Sequence, residues 1–162
     1  MLEDGLRHLS DESVQRRFLT LKRSFSRAEL RYLTEVNGRD HVALVAEDTI
    51  RAHSAEPSAS GQAPGDPVRR LIAVARFVRL VEDPSAAEVA IVVADDWQRR
   101  GVGSLLSDQL AEEARRAGIA RFTATIASDN VAAQRLMRRL TTHLEGHPAG
   151  HGVSEMVLDL AA

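Results

Sequence analysis

The chain has 162 residues, 44% apolar and 27% charged, with a formal net charge of −2. That is the make-up of one ordinary globular domain, and it offers no basic field to hold nucleic acid. The absence of cysteine excludes disulfide scaffolds and thiolate metal sites, and the absence of any long apolar window or signal-peptide core predicts a cytoplasmic protein with no membrane partner.

Gly5–Leu9 reads as a short strand or a lead-in. Ser10 or Asp11 then caps a helix whose apolar side holds Val14, Phe18, Leu19 and Leu21. A second helix is predicted from Ser26 to about Val36, closed by Asn37-Gly38 as a left-handed cap. His41–Ala46 (HVALVA) is a short apolar run that reads as a buried strand. Residues 47–67 are rich in Ser, Ala, Gly, Pro and Asp without periodicity, so 47–68 is expected to be a flexible loop inside a hairpin. The hairpin resumes at Arg70–Val81.

Ala87–Ala94 is the next strand, broken by Asp95-Asp96. Gly101–Ala117 has the apolar spacing of an amphipathic helix in Val102, Leu105, Leu106, Leu110 and Ala114, with Gly118 after it. Ile119–Ala127 is a strand, and Asp129–Leu140 a helix capped by Ser128 or Asp129. His143–Gly146 and Val153–Leu160 form two final strands joined by PAGHG. One helix separates strands 87–94 and 120–127, which predicts a parallel βαβ unit. With hairpins on either side, the expected fold is a single α/β domain over residues 1–162, its mixed central sheet flanked by helices.

The segment 92–106, VVADDWQRRGVGSLL, carries the sharpest chemistry. A buried strand runs into a basic turn with two glycines, and a helix follows at once. A helix start leaves several backbone N–H groups unpartnered, and with the helix dipole they form an anion site. Gly101 and Gly103 let the backbone approach phosphate oxygens, and Arg99 and Arg100 add positive charge. The glycines alone are equally compatible with a plain strand–helix turn. The spacing is neither G-x-G-x-x-G nor a P-loop.

Gln98-Arg-Arg-Gly101-Val-Gly103 resembles the Gln/Arg-x-x-Gly-x-Gly/Ala signature of the GNAT acetyltransferases, and the flanking residues resemble that family's acetyl-CoA motif. Phe122–Ala127 followed by Ser128-Asp-Asn130 is similar to the family's next strand and its Asn-initiated helix. Residues 10–18, His41–Ala46 and Ala87-Glu-Val-Ala90 resemble a narrower branch, the GNAT domain of bacterial protein-lysine acetyltransferases. The resemblance implies acetyl-CoA as acyl donor. Its pantetheine arm would pair with the backbone of Ile91, Val92 and Val93. Its pyrophosphate would sit on the amides of Gln98, Arg99, Arg100, Gly101, Val102, Gly103 and Ser104. Asn130 is either a helix cap or a contact to the distal part of the cofactor.

The implied reaction attacks a thioester with an amine. An alkyl ammonium, with a pKa of about 10.4, must first lose a proton. A partly buried carboxylate takes such a proton, directly or through water. Glu88 stands out between Ala87 and Val89. Alone it also reads as a solvated strand-end residue, and the Ala-Glu-Val-Ala resemblance favours the base. Where many family members carry a Tyr that protonates the leaving thiolate, counting from Asn130 gives Met137. The only Tyr is Tyr32.

His143, His147 and His151 do not form a helical ligand pair, because Pro148 and Gly150 intervene, and no metal is expected. Arg135, Arg138 and Arg139 form a basic helical face, either solvated or turned toward the cofactor's 3′-phosphate. The expected activity is N-acetyl transfer to a primary amine, with a protein lysine first, a small-molecule amine second, and a non-catalytic acyl-CoA-binding module third. Either a monomer or a homodimer fits.

Overall fold

The computed structural model describes residues 8–19, 24–50 and 68–160. In chain order the elements are α1 (Asp11–Phe18), α2 (Arg27–Thr34), β1 (His41–Ile50), β2 (Val68–Arg79), β3 (Ala86–Val93), a 3-10 turn (Asp95–Trp97), α3 (Val102–Arg116), β4 (Arg121–Ala127), α4 (Val131–Leu140), β5 (Leu144–Gly150) and β6 (Val153–Asp159). The expected single mixed sheet forms, in the order β1-β2-β3-β4-β6-β5. Only β3 and β4 run parallel.

Local chemistry sets most boundaries. Ser10 caps α1 by accepting from the Ser13 amide. Ser26 and Glu29 form a reciprocal capping box on α2. Three expectations change. Asn37 does not cap α2, which ends at Thr34. Its side-chain oxygen instead accepts from the amides of Arg39, Asp40 and His41, turning the chain into β1. The cap of α4 is Asn130, not Ser128 or Asp129. The expected loop at 47–68 is shorter, since Glu47–Ile50 pair with Val68–Leu71 across the β1–β2 hairpin. The expected lead-in at 5–7, Leu21 and residues 51–67 lie outside the described residues.

The final hairpin is also tighter than PAGHG implies. His151 and Gly152 both have positive φ, 52° and 73°, which makes a two-residue turn that follows the strand twist. A register shift between Pro148 and Gly150 accommodates the proline on this edge strand.

Alternation divides the sheet into two faces. Val42, Ala75, Phe77, Ala87, Val89, Phe122 and Leu158 form one face, packed with Leu106, Leu110 and Ala114 of α3 and Met137 of α4. The Phe77 and Phe122 rings are 6.0 Å apart where β3 meets β4. Leu105, counted in the apolar stripe of α3, is 59% exposed and takes no part in this core. The other face carries Arg76, Glu88, Ala90 and Val92, and lies toward α1 and α2.

Candidate functional site

Strand β3 pairs with β4 only at Ala86–Glu88 against Arg121–Thr123. Beyond Val89 the strands part: β3 keeps only β2 as partner and β4 only β6. The root of this gap is pinned by Ser85, whose carbonyl accepts from the Ala120 and Arg121 amides at 2.7 and 3.1 Å. Directions along β3 follow from one bond. The Ala94 amide donates to Ile72 O of the β2 side at 2.8 Å. Backbone direction alternates along a strand, so Glu88, Ala90 and Val92 also turn toward β2, while Val89, Ile91 and Val93 turn into the gap. Of the three residues expected to present free backbone, Ile91 turns into the gap, Val93 does so with its N–H while its carbonyl accepts from Gln98 Nε2 at 3.2 Å, and Val92 turns its backbone toward β2 instead.

The gap leads to the turn at 98–101. Arg99 has φ 59° and Gly101 φ 86°. Successive reversals of this kind gather amides on one side, as in an anion nest. The first helical bond of α3 runs from the Leu105 amide to Gly101 O at 2.9 Å, and no side chain caps the helix. The amides of Val102, Gly103 and Ser104 therefore have no partner within the helix, and no acidic residue occupies its first turn. Gln98 differs from the expectation, since its amide donates to Asp95 O at 3.2 Å. The two glycines differ. A Cβ on Gly101 meets nothing within 4 Å, so left-handed φ is what requires glycine there. A Cβ on Gly103 would make ordinary contact with Val93 at 3.4 Å and Leu136 at 3.5 Å, so neither packing nor φ demands glycine there. Arg99 and Arg100 are exposed, and the Arg100 guanidinium lies 5.0 Å from the Trp97 ring centre.

The two aspartates that break β3 hold this turn in place. Asp96 pairs with Arg70 of β2 at 3.0 Å. Asp95 accepts from the Ser10 amide (2.7 Å), the Ser10 hydroxyl (2.9 Å) and the Ser13 hydroxyl (2.7 Å), which anchors the start of α1. The Gln98 side-chain amide joins them, donating to Ser13 Oγ and to Val93 O. Burial opposes ionisation of Asp95, but the hydrogen bonds from Ser10 and Ser13 outweigh it and hold the carboxyl below its ordinary value. Such a group stabilises the fold above the ordinary carboxylate range and ceases to do so as pH falls through its lowered folded-state value. The cluster is solvent-exposed, so Asp95→Ala is expected to cost about 1 kcal/mol at neutral pH, a fall of about 2–4 °C in Tm. Thermal melts of both proteins from neutral to strongly acid pH check this, with the difference shrinking in acid.

Glu88 lies on the face toward α1 and α2 and is exposed, which corrects the expectation of partial burial. Around it are charges that the sequence did not bring together. Arg76 is 5% exposed and donates to Leu33 O at 3.3 Å and toward His41 Nε2 at 3.5 Å. Burial first, then Arg76, lowers the His41 pKa, so His41 is the neutral acceptor of this pair. Burial, then repulsion by Arg76, lowers Arg17 to about 10, while Glu88 and Tyr32 act the other way. Tyr32 is 55% exposed, with its ring 5.2 Å from that of His41.

Met137 is 8% exposed and belongs to the core beneath α4. It carries no acidic proton, and its burial shows why an apolar side chain suits the position. Asn130 performs the cap role, accepting from the Ala133 amide at 3.1 Å, and its side-chain nitrogen has no hydrogen-bond partner among the described residues. Of the basic face on α4, Arg135 and Arg138 are exposed, and Arg139 pairs with Asp108 of α3 at 2.7 Å. Among the described residues no three His, Asp or Glu side chains gather as a metal site, and no helix is long and apolar enough to cross a membrane.

Residues 23–141 match the family model "Acetyltransferase (GNAT) family". The chain is 38% identical over 137 residues to "Acetyltransferase Pat" of Mycolicibacterium smegmatis, covering 85% of this chain and 36% of the relative. It thus spans about a third of that curated relative's length. Among solved structures, the GNAT domain of S. lividans PAT superposes with a TM-score of 0.74 at 26% identity, covering 98% of this chain and 83% of the other. A cAMP-binding acyltransferase from Mycobacterium smegmatis gives a TM-score of 0.57 at 32% identity, covering 98% of this chain and 41% of that one. The family model spans well over half of the chain, and the chain belongs to the GNAT family of acetyltransferases.

Proposed function

We propose that this chain transfers the acetyl group of acetyl-CoA to a protein lysine, with Glu88 as the base. The carrying observation is the gap between β3 and β4, which opens beyond Glu88 and is flanked by β3 as far as Val93, just before the amide-lined turn. Acetyl-CoA fits this arrangement with its diphosphate on the amides of Arg99–Ser104. Its pantetheine arm would act as an added strand against Ile91 and Val93, and its thioester would come near Glu88. A single added strand satisfies the backbone groups that the divergence leaves without β4. The free nitrogen of Asn130 serves as a further donor to the cofactor.

On this reading the lysine ammonium approaches from the α1–α2 face and loses a proton to Glu88, directly or through water. The free amine attacks the thioester carbonyl. Binding of the acceptor covers the exposed carboxylate and strengthens its interaction with the ammonium. The collapsing intermediate expels the thiolate, and the second proton on the attacking nitrogen passes through solvent to that thiolate, since Met137 supplies none. A small polyamine is disfavoured as acceptor because the cavity beside Glu88 is lined by Arg17 and Arg76 rather than by acids. The relative named "Acetyltransferase Pat" supports the acetyl-transfer part of this reading.

The test is incubation with labelled acetyl-CoA and a bacterial extract. The expected result is label on protein lysines that mass spectrometry identifies. Label confined to small amines would replace the lysine by a metabolite, and label on neither would leave a binding module.

A further inference from the structure

The face of the sheet beneath α1 and α2 holds a cavity of about 60 Å³, walled largely by apolar groups such as Leu9, Leu33, Val74 and Val92. Two guanidinium groups, Arg17 of α1 and Arg76 of β2, also line it. Neither has an ion-pair partner among the described residues: Arg76 makes its bonds to a neutral imidazole and a carbonyl, and Arg17 lies over the Phe18 ring at 4.9 Å. Two like charges in an apolar pocket raise the free energy of the empty site. Burial and mutual repulsion make Arg17 easier to deprotonate, yet it stays charged near neutral pH. Such a pocket gains from an anion that neutralises the pair. A guanidinium fork suits a carboxylate, and the cavity holds a group of that size.

The cavity lies next to the proposed base. Arg76 is opposite Ala90, two residues along β3 from Glu88 and on the same face. The Glu88 charge is felt at Arg17 without being close enough to pair with it.

We propose that Arg17 and Arg76 form an anion subsite of the acceptor pocket, selecting amines that carry a carboxylate near the reacting nitrogen. This rests on the acetyltransferase reading of Glu88 and names its acceptor class. An acidic side chain flanking a lysine, or the carboxylate of a small amino acid, presents the same chemistry. The subsite explains a feature the transfer reaction does not require, namely two cations with no ion-pair partner among the described residues beside a base that must deprotonate an ammonium. The carboxylate of the acceptor would offset their repulsion of that ammonium.

The experiment measures kcat/KM with acetyl-CoA for two pairs of acceptors. One pair is a lysine peptide flanked by aspartates against the same peptide with asparagines. The other is 6-aminohexanoate against hexylamine. The expected result is a preference of about tenfold or more for the acidic member of at least one pair. The responding pair identifies a protein or a small acid as the source. Arg17→Gln should bring the ratio close to one with the acetyl-CoA Kd unchanged, and Arg17→Glu should reverse it. Because Arg76 is buried and its loss endangers folding, Arg17 carries the test, with circular dichroism confirming folded variants. Turnover without preference in either pair, or preference that survives in Arg17→Gln, overturns the subsite and leaves the acetyltransferase reading standing.

If acetyl-CoA binds but neither pair reacts, the catalytic reading fails instead. The subsite is then read from Tm with glutarate replacing chloride at constant ionic strength. A rise in the wild type that is lost in Arg17→Gln upholds it, and no rise overturns it.

Discussion

Glu88→Gln is expected to lower kcat by about two to four orders of magnitude while the Kd for acetyl-CoA stays unchanged. That range is what a positioned base contributes to a proton transfer. The split between the two constants follows from geometry. The Glu88 backbone faces β2, and its side chain lies on the α1–α2 face, while the turn proposed to seat the diphosphate lies ten residues further on. Glutamine keeps the size and the hydrogen-bonding shape but accepts no proton. The loss should shrink as pH rises, since a lysine acceptor then arrives increasingly as free amine. Steady-state kinetics from pH 7 to pH 10, with calorimetric binding of acetyl-CoA alongside, check both parts. Unchanged turnover across that range would remove Glu88 as base.

Gly101→Val should weaken acetyl-CoA binding by about a hundredfold or more and leave the fold in place. At φ 86° a β-branched residue is strained, and the chain escapes by moving φ to negative values. That movement turns the amides of residues 100–102 away from their common focus. Losing two hydrogen bonds to a charged diphosphate, at about 1.5 to 3 kcal/mol each, gives the stated factor. A Cβ at this position meets nothing within 4 Å, so the substitution acts through φ rather than through a clash with the core. Gly103→Ala is the control. Its added methyl makes ordinary contact with Val93 and Leu136, and binding should persist.

Much of this architecture was readable in the chain. The turn at 98–103 announced itself because strand, glycines and helix are contiguous, and contiguous signals need no tertiary information. The strands and helices followed from apolar spacing and caps, with small errors where several polar residues competed. Asn130 won the cap over Asp129 because its oxygen reaches Ala133 N. Leu105 fits the helical period yet faces solvent, since periodicity does not fix how wide the buried stripe is.

What the sequence concealed was spatial. The run 86–93 is uniformly apolar apart from Glu88, and nothing in it marks Val89 as the point where β4 departs. Asp95 looked like a strand breaker, because its partners Ser10 and Ser13 are more than eighty residues away. Arg76 sits in an apolar strand and Arg17 in a polar helix, and only the packing of α1 over the sheet makes them neighbours. The exposure of Glu88 was hidden for the same reason, since its flanking residues are buried while it points to the other face.

The central claim is that the backbone amides of residues 99–104 seat the diphosphate of the acyl donor. Calorimetric titration of the wild type, Gly103→Ala and Gly101→Val with acetyl-CoA tests it most directly. The account predicts saturable one-to-one binding by the first two and a severe loss in the third, with all three folded. Equal affinity in Gly101→Val, or no heat of binding in the wild type, would contradict it.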